Sequence, residues 1–263
     1  MASGRISRRA LLGAAVVAGA AGAGGVARGA PANEFASVVA RADRVRTPRH
    51  RRPGWTVGAI GRSGQGRPIR RWDSKPVDAR RHVAVICGIH GDERGMAELA
   101  DGFGRIDVPP DLHLTIVPHL NPDGWVAGTR RNGDGVDLNR NFPWGWRRDG
   151  VGGVGPASEL ETQAAMWFLG SERPDLTIWV HQPLGYVAAL GGCPSHYADI
   201  WSHASSVPVR ENLRQVGGGE TWSTMALGLR SMLVEVAGTK AEPVGVPQHV
   251  EALEALLRVA EPS

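Results

Sequence analysis

The stretch "HVAVICGIHGDERGMAELADGFGR", residues 82–105, changes character twice. Its first half is an apolar, β-branched run that reads as a buried strand ending at His90. From Glu93 onward the apolar residues fall at helical spacing. A strand, a sharp polar turn and a helix together form the repeating unit of an α/β sheet, and the pattern recurs downstream. "LHLTIVPHL" (112–120) reads as a strand closed by the turn "NPDG" (121–124). "LTIWVH" (176–181) and "SMLVEVA" (231–237) read as two more buried strands. "SELETQAAMWFLG" (158–170) reads as a helix whose Ser158 and Glu161 form a capping box, and "HVEALEALLRVA" (249–260) as a closing helix. Upstream, "WTVGAIGRS" (55–63) and "PIRRW" (68–72) read as short strands about a glycine-rich turn, whereas 124–158 has no regular period. The expected fold is α/β: a mixed, largely parallel β-sheet with helices on both faces and its site at the C-terminal ends of strands.

The 263 residues suit one domain, and 42% hydrophobic with 21% charged residues is ordinary for a globular protein. Residues 1–32 carry four arginines and no acids, and Arg8 and Arg9 precede a weakly apolar Ala/Gly/Val run ending in Ala30-Pro31-Ala32. That pattern matches a twin-arginine-type export signal with an A-x-A cleavage site. Residues 33–54 read as a basic arm and 55–263 as the folded domain. Taking the four leader arginines from the 30 basic residues leaves 26 against 26 acidic ones, a net charge of zero. A nucleic-acid partner therefore loses its main support, and after signal cleavage no lasting membrane insertion is expected. Cys87 and Cys193 are the two cysteines; in an exported protein they could pair or stay as buried thiols.

His90 and Glu93 stand three apart where a strand turns into a helix, so both can face one ion. His181 ends another strand. Two imidazoles and one carboxylate make a zinc set that leaves a fourth position open. His119 also ends a strand and competes for the third place, although its position before a turn suits a structural role better. In "GVDLNRNFP" (135–143), Arg140 offers a planar fork for a carboxylate and Asn139 an adjacent amide donor. Asp137 and Asn141 are also explained by local Asx turns. Glu235 is a carboxylate inside an apolar strand, which is costly unless it is paired or functional.

These segments together resemble the zinc carboxypeptidase family, within it the branch of murein tripeptide amidases and γ-D-glutamyl-diaminopimelate peptidases. The matching stretches are "GRSGQGRPI" (61–69), "HGDE" (90–93), "NPDG" (121–124), "GTRRNGDGVDLNRNFP" (128–143), "GPASELET" (155–162), "HQPLG" (181–185) and "LVEVAG" (233–238). The resemblance implies one zinc ion on His90, Glu93 and His181. It implies Asn139 and Arg140 on a substrate carboxylate, Arg130 rather than Arg131 polarising the scissile carbonyl, and Glu235 as the catalytic glutamate. The mobile tyrosine of the digestive relatives has no counterpart assignable to Tyr186 or Tyr197. Trp144, Trp146 and Trp222 are read as packing residues.

The expectation is thus an exported zinc amidase acting beside the C-terminal residue of a peptidoglycan-derived peptide, at the γ-D-glutamyl–diaminopimelate bond. Two alternatives are an aspartoacylase-like deacylase of N-acyl amino acids and a wall-peptide-binding module without catalysis. The sequence leaves the oligomeric state open.

Overall fold

The computed structural model describes residues 54–263 apart from 212 and 214. The expected leader (1–32) and the arm, except for Gly54, lie outside the described residues. Seven strands form one sheet: β1 (Trp55–Arg62), β2 (Pro68–Ser74), β3 (Arg81–Cys87), β4 (Leu112–Val117), β5 (Leu176–His181), β6 (Tyr186–Leu190) and β7 (Arg230–Glu235). Their order is β1-β2-β4-β3-β5-β7-β6. The central four, β4-β3-β5-β7, run parallel, and the strands outside them pair antiparallel.

Alternation along the central strands divides the core in two, because successive side chains point to opposite faces. Val83, Val85 and Cys87 of β3, with Ile178 and Val180 of β5, meet one set of helices. These are α1 (Met96–Phe103), α4 (Ser195–Ser205) and α6 (Val246–Val259). Ala84 and Ile86, with Trp179, meet the other set: α3 (Leu160–Glu172), α5 (Gly219–Leu227) and the 3-10 turn Leu138–Arg140. A seventh element, the short α2 (Pro122–Ala127), lies between β4 and that turn. Helices therefore cover both faces, which is why the central strands read as continuous apolar runs. Among the described residues no helix is long and apolar enough to cross a membrane.

The structure departs from the sequence reading at identifiable points. β3 ends at Cys87, three residues before His90. "NPDG" opens α2 rather than forming a free turn, with the Asn121 side chain accepting from Gly124 N at 2.8 Å and Pro122 in the first turn. The capping box at Ser158 does not form: α3 starts at Leu160, and the Ser158 hydroxyl donates to Glu159 at 2.6 Å. Glu161 instead reaches out of its helix to accept from Gly64 N at 3.2 Å. α6 begins three residues earlier than expected, with Pro247 in its first turn. Strand β6 and helices α4 and α5 were not legible. Cys87 and Cys193 are both free and buried.

Helix α6 also carries a buried titratable group. His249 is enclosed, and its Nδ1 accepts from Trp201 Nε1–H at 3.0 Å. Burial depresses its pKa from 6.5 to about 4, so the neutral imidazole is the folded form. That contribution to stability is full above pH 6.5 and is lost as pH falls towards 4. Urea unfolding of wild type and His249→Gln at pH 7.5 and 4.5 should show the variant losing about 2 kcal/mol less on acidification. Equal losses would mean that this imidazole is not held neutral.

Candidate metal centre and its cleft

The site lies where three parallel strands deliver their C-terminal ends. His181 is the last residue of β5 and Glu235 the last of β7, and the ladder pairs them in register. His90 and Glu93 come from the loop after β3. That loop packs so closely on α2 that a Cβ on Gly91 would lie 1.9 Å from the Gly124 backbone, which requires glycine there. All four side chains line a cleft of about 290 Å³.

Within it, the Nδ1 atoms of His90 and His181 approach the same carboxylate oxygen, Glu93 Oε1, at 2.7 and 3.5 Å. One ligand atom from each of the three residues lies within 4.8 Å of the others, and all three side chains are buried. Glu93 Oε2 and His181 Nε2 are buried without hydrogen-bond partners. Burial works against the charge of Glu93, yet His181 and His90 hold its pKa down to about 2. Burial likewise works against a protonated His181, yet Glu93, with Glu235 and Glu220 further off, lifts it to about 9. The cluster thus favours one positive charge at its centre. A buried carboxylate facing two imidazole nitrogens is costly without a cation, so these residues fit a divalent metal.

His119 stays out of this cluster. It is buried, stacked on Trp125 with ring centroids 4.1 Å apart, and burial lowers its pKa to about 3. Of the two histidines, His181 is the one that stands with His90 and Glu93.

Asp137 connects the His-Glu-His group to the irregular loop. Its Oδ1 lies 3.2 Å from His90 Nε2 and accepts from Asn139 N at 3.0 Å, while its Oδ2 accepts from Arg130 Nε at 2.9 Å. Burial would raise its pKa, but His90 and Arg130 hold it well below the usual carboxylate range. The bond to Nε2 directs the other ring nitrogen, Nδ1, towards Glu93 and the His181 side of the cluster. The Asx turn expected at Asp137 therefore exists, and the same carboxylate also orients the His90 ring. Asn141 acts differently: its amide donates to Gly152 O, Gly155 O and Ser158 Oγ at 2.8–3.1 Å, tying the loop to residues 152–158.

Asn139 and Arg140 both line the cleft. Asn139 Oδ1 accepts from Gly219 N at 2.9 Å, so its NH₂ group is left as the free donor. Gly217 has φ +68°, and a Cβ there would lie 2.5 Å from the Arg140 carbonyl oxygen, so this contact also requires glycine. Arg130 lines the cleft and keeps 38% of its side chain exposed. Arg131 is exposed and donates to Gly135 O at 3.4 Å, away from the cleft. Burial raises the Glu235 pKa against the pull of His181, and Leu184 N donates to its Oε2 at 3.3 Å.

Sequence reading missed several cleft residues. Tyr186 pairs in register with Glu235, and burial followed by that carboxylate pushes its phenol to about 12. Glu220, in the first turn of α5, is buried with Oε2 unpartnered. Lys240 follows β7 in a loop. The triple glycine at 217–219 was the available signal for the second wall. Trp222 and Trp144 pack against the α3/α5 face, and Trp146 donates to Gly152 O at 2.8 Å.

Residues 108–225 match the family model described as zinc carboxypeptidase. The chain is similar to murein peptide amidase A of Escherichia coli (strain K12), with 33% identity over 162 residues, covering 54% of this chain and 66% of that protein. It is similar to murein peptide amidase A of Vibrio campbellii (strain ATCC BAA-1116), with 26% identity over 225 residues, covering 77% and 88% respectively. The chain thus spans just under two thirds of the Escherichia coli relative, 66% of its length, and more of the Vibrio one. The crystal structure of murein-tripeptide amidase MpaA from Escherichia coli O157 matches with a TM-score of 0.66 at 25% identity, covering 84% of this chain and 98% of that one. With its sheet, its convergent His-Glu-His group and these likenesses, the chain carries a zinc carboxypeptidase domain, matched by the family model over residues 108–225.

Proposed function

We propose that the protein is an exported zinc-dependent amidase that hydrolyses the amide bond before a C-terminal residue, the γ-D-glutamyl–diaminopimelate bond of peptidoglycan peptides. One observation carries this reading: the His90–Glu93–His181 group, Glu235, Arg130 and the Asn139–Arg140 pair line a single cleft. The names of the relatives supply the wall-peptide class, and the twin-arginine-like leader fits delivery to the wall.

His90, Glu93 and His181 would hold the zinc. A zinc ion in such a set acts as a Lewis acid and makes water acidic enough to ionise near neutral pH. Arg140 and the Asn139 amide receive the free carboxylate of the terminal residue and fix which bond is presented. Arg130, steadied by Asp137, donates to the carbonyl oxygen as negative charge develops on it. Glu235 accepts a proton from the attacking water and returns it to the leaving amine, a role suited by its raised pKa. Diaminopimelate bound by one carboxylate carries an ammonium and a second carboxylate at its far end, and Glu220, which lines the same cleft, is placed to meet that ammonium.

An aspartoacylase-like deacylase would share the metal group and the arginine, and a binding module would share the clamp. Glu235 beside the metal position favours catalysis over binding alone. Incubation of L-alanyl-γ-D-glutamyl-diaminopimelate with the purified protein, read by mass spectrometry, should release free diaminopimelate and should stop with chelator. Turnover of N-acetyl-aspartate alone would replace this substrate with the deacylase reading, and peptide binding without release would leave a binding module. Arg130→Ala should lower kcat about 10²–10³-fold with the fold retained.

Metal content gives an independent check. Zinc should bind at one equivalent. Glu93→Gln and His181→Ala should lose it, Asp137→Asn should weaken it about 10–100-fold, and His119→Gln should leave it unchanged. Retention of zinc by His181→Ala would dismiss the proposed ligand set.

A further inference from the structure

The cleft has two walls, and they come from opposite faces of the sheet. Asn139, Arg140 and Glu220 belong to the Leu138–Arg140 turn and to α5, on the α3/α5 face. Lys240 belongs to the loop after β7, which is fastened to the start of α1 on the other face. Its carbonyl accepts from Arg94 N and Gly95 N at 2.6 and 3.3 Å. The neighbouring Thr239 carbonyl accepts from Gln182 Nε2 at 3.0 Å, and Gln182 Oε1 in turn accepts from Gly95 N at 3.1 Å. A bridge between Gly238 and Pro243 closes the loop on itself. Lys240 is therefore presented by a backbone pinned at several points.

The Lys240 ammonium pairs with Asp92 Oδ2, beside the ligand Glu93, and still keeps 39% of its side chain exposed while lining the cleft. An ammonium has three N–H donors and Asp92 takes one direction, so donors remain for a second acceptor. His181 and Glu235 sit at the strand ends, where the two faces meet, so Lys240 and the Arg140 clamp approach the His-Glu-His group from the two walls of one cleft. A substrate docked by its terminal carboxylate at Arg140 passes its scissile bond over the metal position and lays its acyl residue towards Lys240. An acyl residue joined through its α-carbonyl has no main-chain carboxylate to offer there. One joined through its side-chain carboxyl keeps a free α-carboxylate on the acyl side, at the far end of that side chain from the scissile carbonyl.

We infer that Lys240 binds that free α-carboxylate and selects acyl residues linked through their side chains. The inference rests on the amidase reading and names the feature of the acyl residue that the cleft recognises. Lys240 is a specificity residue and takes no part in proton transfer.

The test uses two tripeptides that differ only at the central glutamyl residue: one with a free α-carboxylate, the other with an α-carboxamide. Wild type should favour the carboxylate form about 10–100-fold in kcat/KM, the range for hydrogen bonds to charged groups. Lys240→Met should lose most of that preference by slowing the carboxylate form alone, and Lys240→Arg should restore part of it. Zinc content should stay at one equivalent in both variants, which separates a specificity effect from a damaged fold. Equal rates on the two peptides in wild type would overturn the inference while leaving the amidase reading intact. So would Lys240→Met slowing both peptides alike, because Lys240 would then only brace Asp92. Cleavage of neither peptide by wild type would remove the amidase reading, and this inference with it.

Discussion

The contact between His90 Nε2 and Asp137 Oδ1, at 3.2 Å, joins the two parts of the site. His90 belongs to the sheet through the short loop after β3, whereas Asp137 begins the irregular segment that carries Asn139 and Arg140. A loop without regular hydrogen bonding would otherwise pay the entropy of ordering for each functional group it presents. Asp137 reduces that cost by bonding to the backbone of its own turn, to Arg130 and to His90 at once. One carboxylate thereby fixes the orientation of the imidazole, the position of the arginine and the placement of the clamp. Loss of that group would disturb all three, since buried polar networks fail jointly rather than pair by pair.

How far the sequence revealed this arrangement depends on how local each signal is. The central strands were legible because both faces are covered, so Val, Ile and Leu follow one another without polar interruption. His181 and Glu235 stood out because each ends or interrupts such a run. His90 was legible as a candidate ligand, although its strand stops earlier at Cys87. Strand β6 was not legible: "YVAAL" is five residues long, follows a Gly-containing loop and carries no alternation. Helices α4 and α5 are polar or glycine-rich at their starts and take their form from packing against the sheet, a tertiary effect that overrides local propensity. Ser158 illustrates the opposite error. A cap pattern was present, but Asn141, seventeen positions away, donates to that hydroxyl at 3.0 Å and the helix begins later.

Glu220 and Lys240 were invisible for a related reason. Neither lies in a motif, and each becomes significant only when its element is placed on one face of the sheet. A cleft built over strand tips collects side chains from both faces, and sequence order gives no hint of which residues will meet. The three glycines at 217–219 offered the nearest clue. Gly217 meets the Arg140 carbonyl, and Gly219 supplies the N–H that turns Asn139.

The charge pattern of the cleft poses a problem of its own. Glu93, Glu220 and Glu235 share a confined space with Arg130, Arg140 and Lys240. Left to themselves, the cations would pair with the nearest carboxylate, and a Glu235 neutralised in that way would be a poor proton acceptor. The protein prevents this by giving two of the cations acids of their own outside the reacting set. Asp137 holds Arg130, and Asp92 holds Lys240. Arg140 is tethered differently, its guanidinium donating to the Asn139 carbonyl at 2.8 Å. Each cation is therefore fixed in direction while keeping donors for a substrate oxygen, and Glu235 keeps its raised pKa next to them. On the proposed mechanism the two aspartates therefore matter by holding Arg130 and Lys240 away from Glu235, although neither acts on the substrate itself.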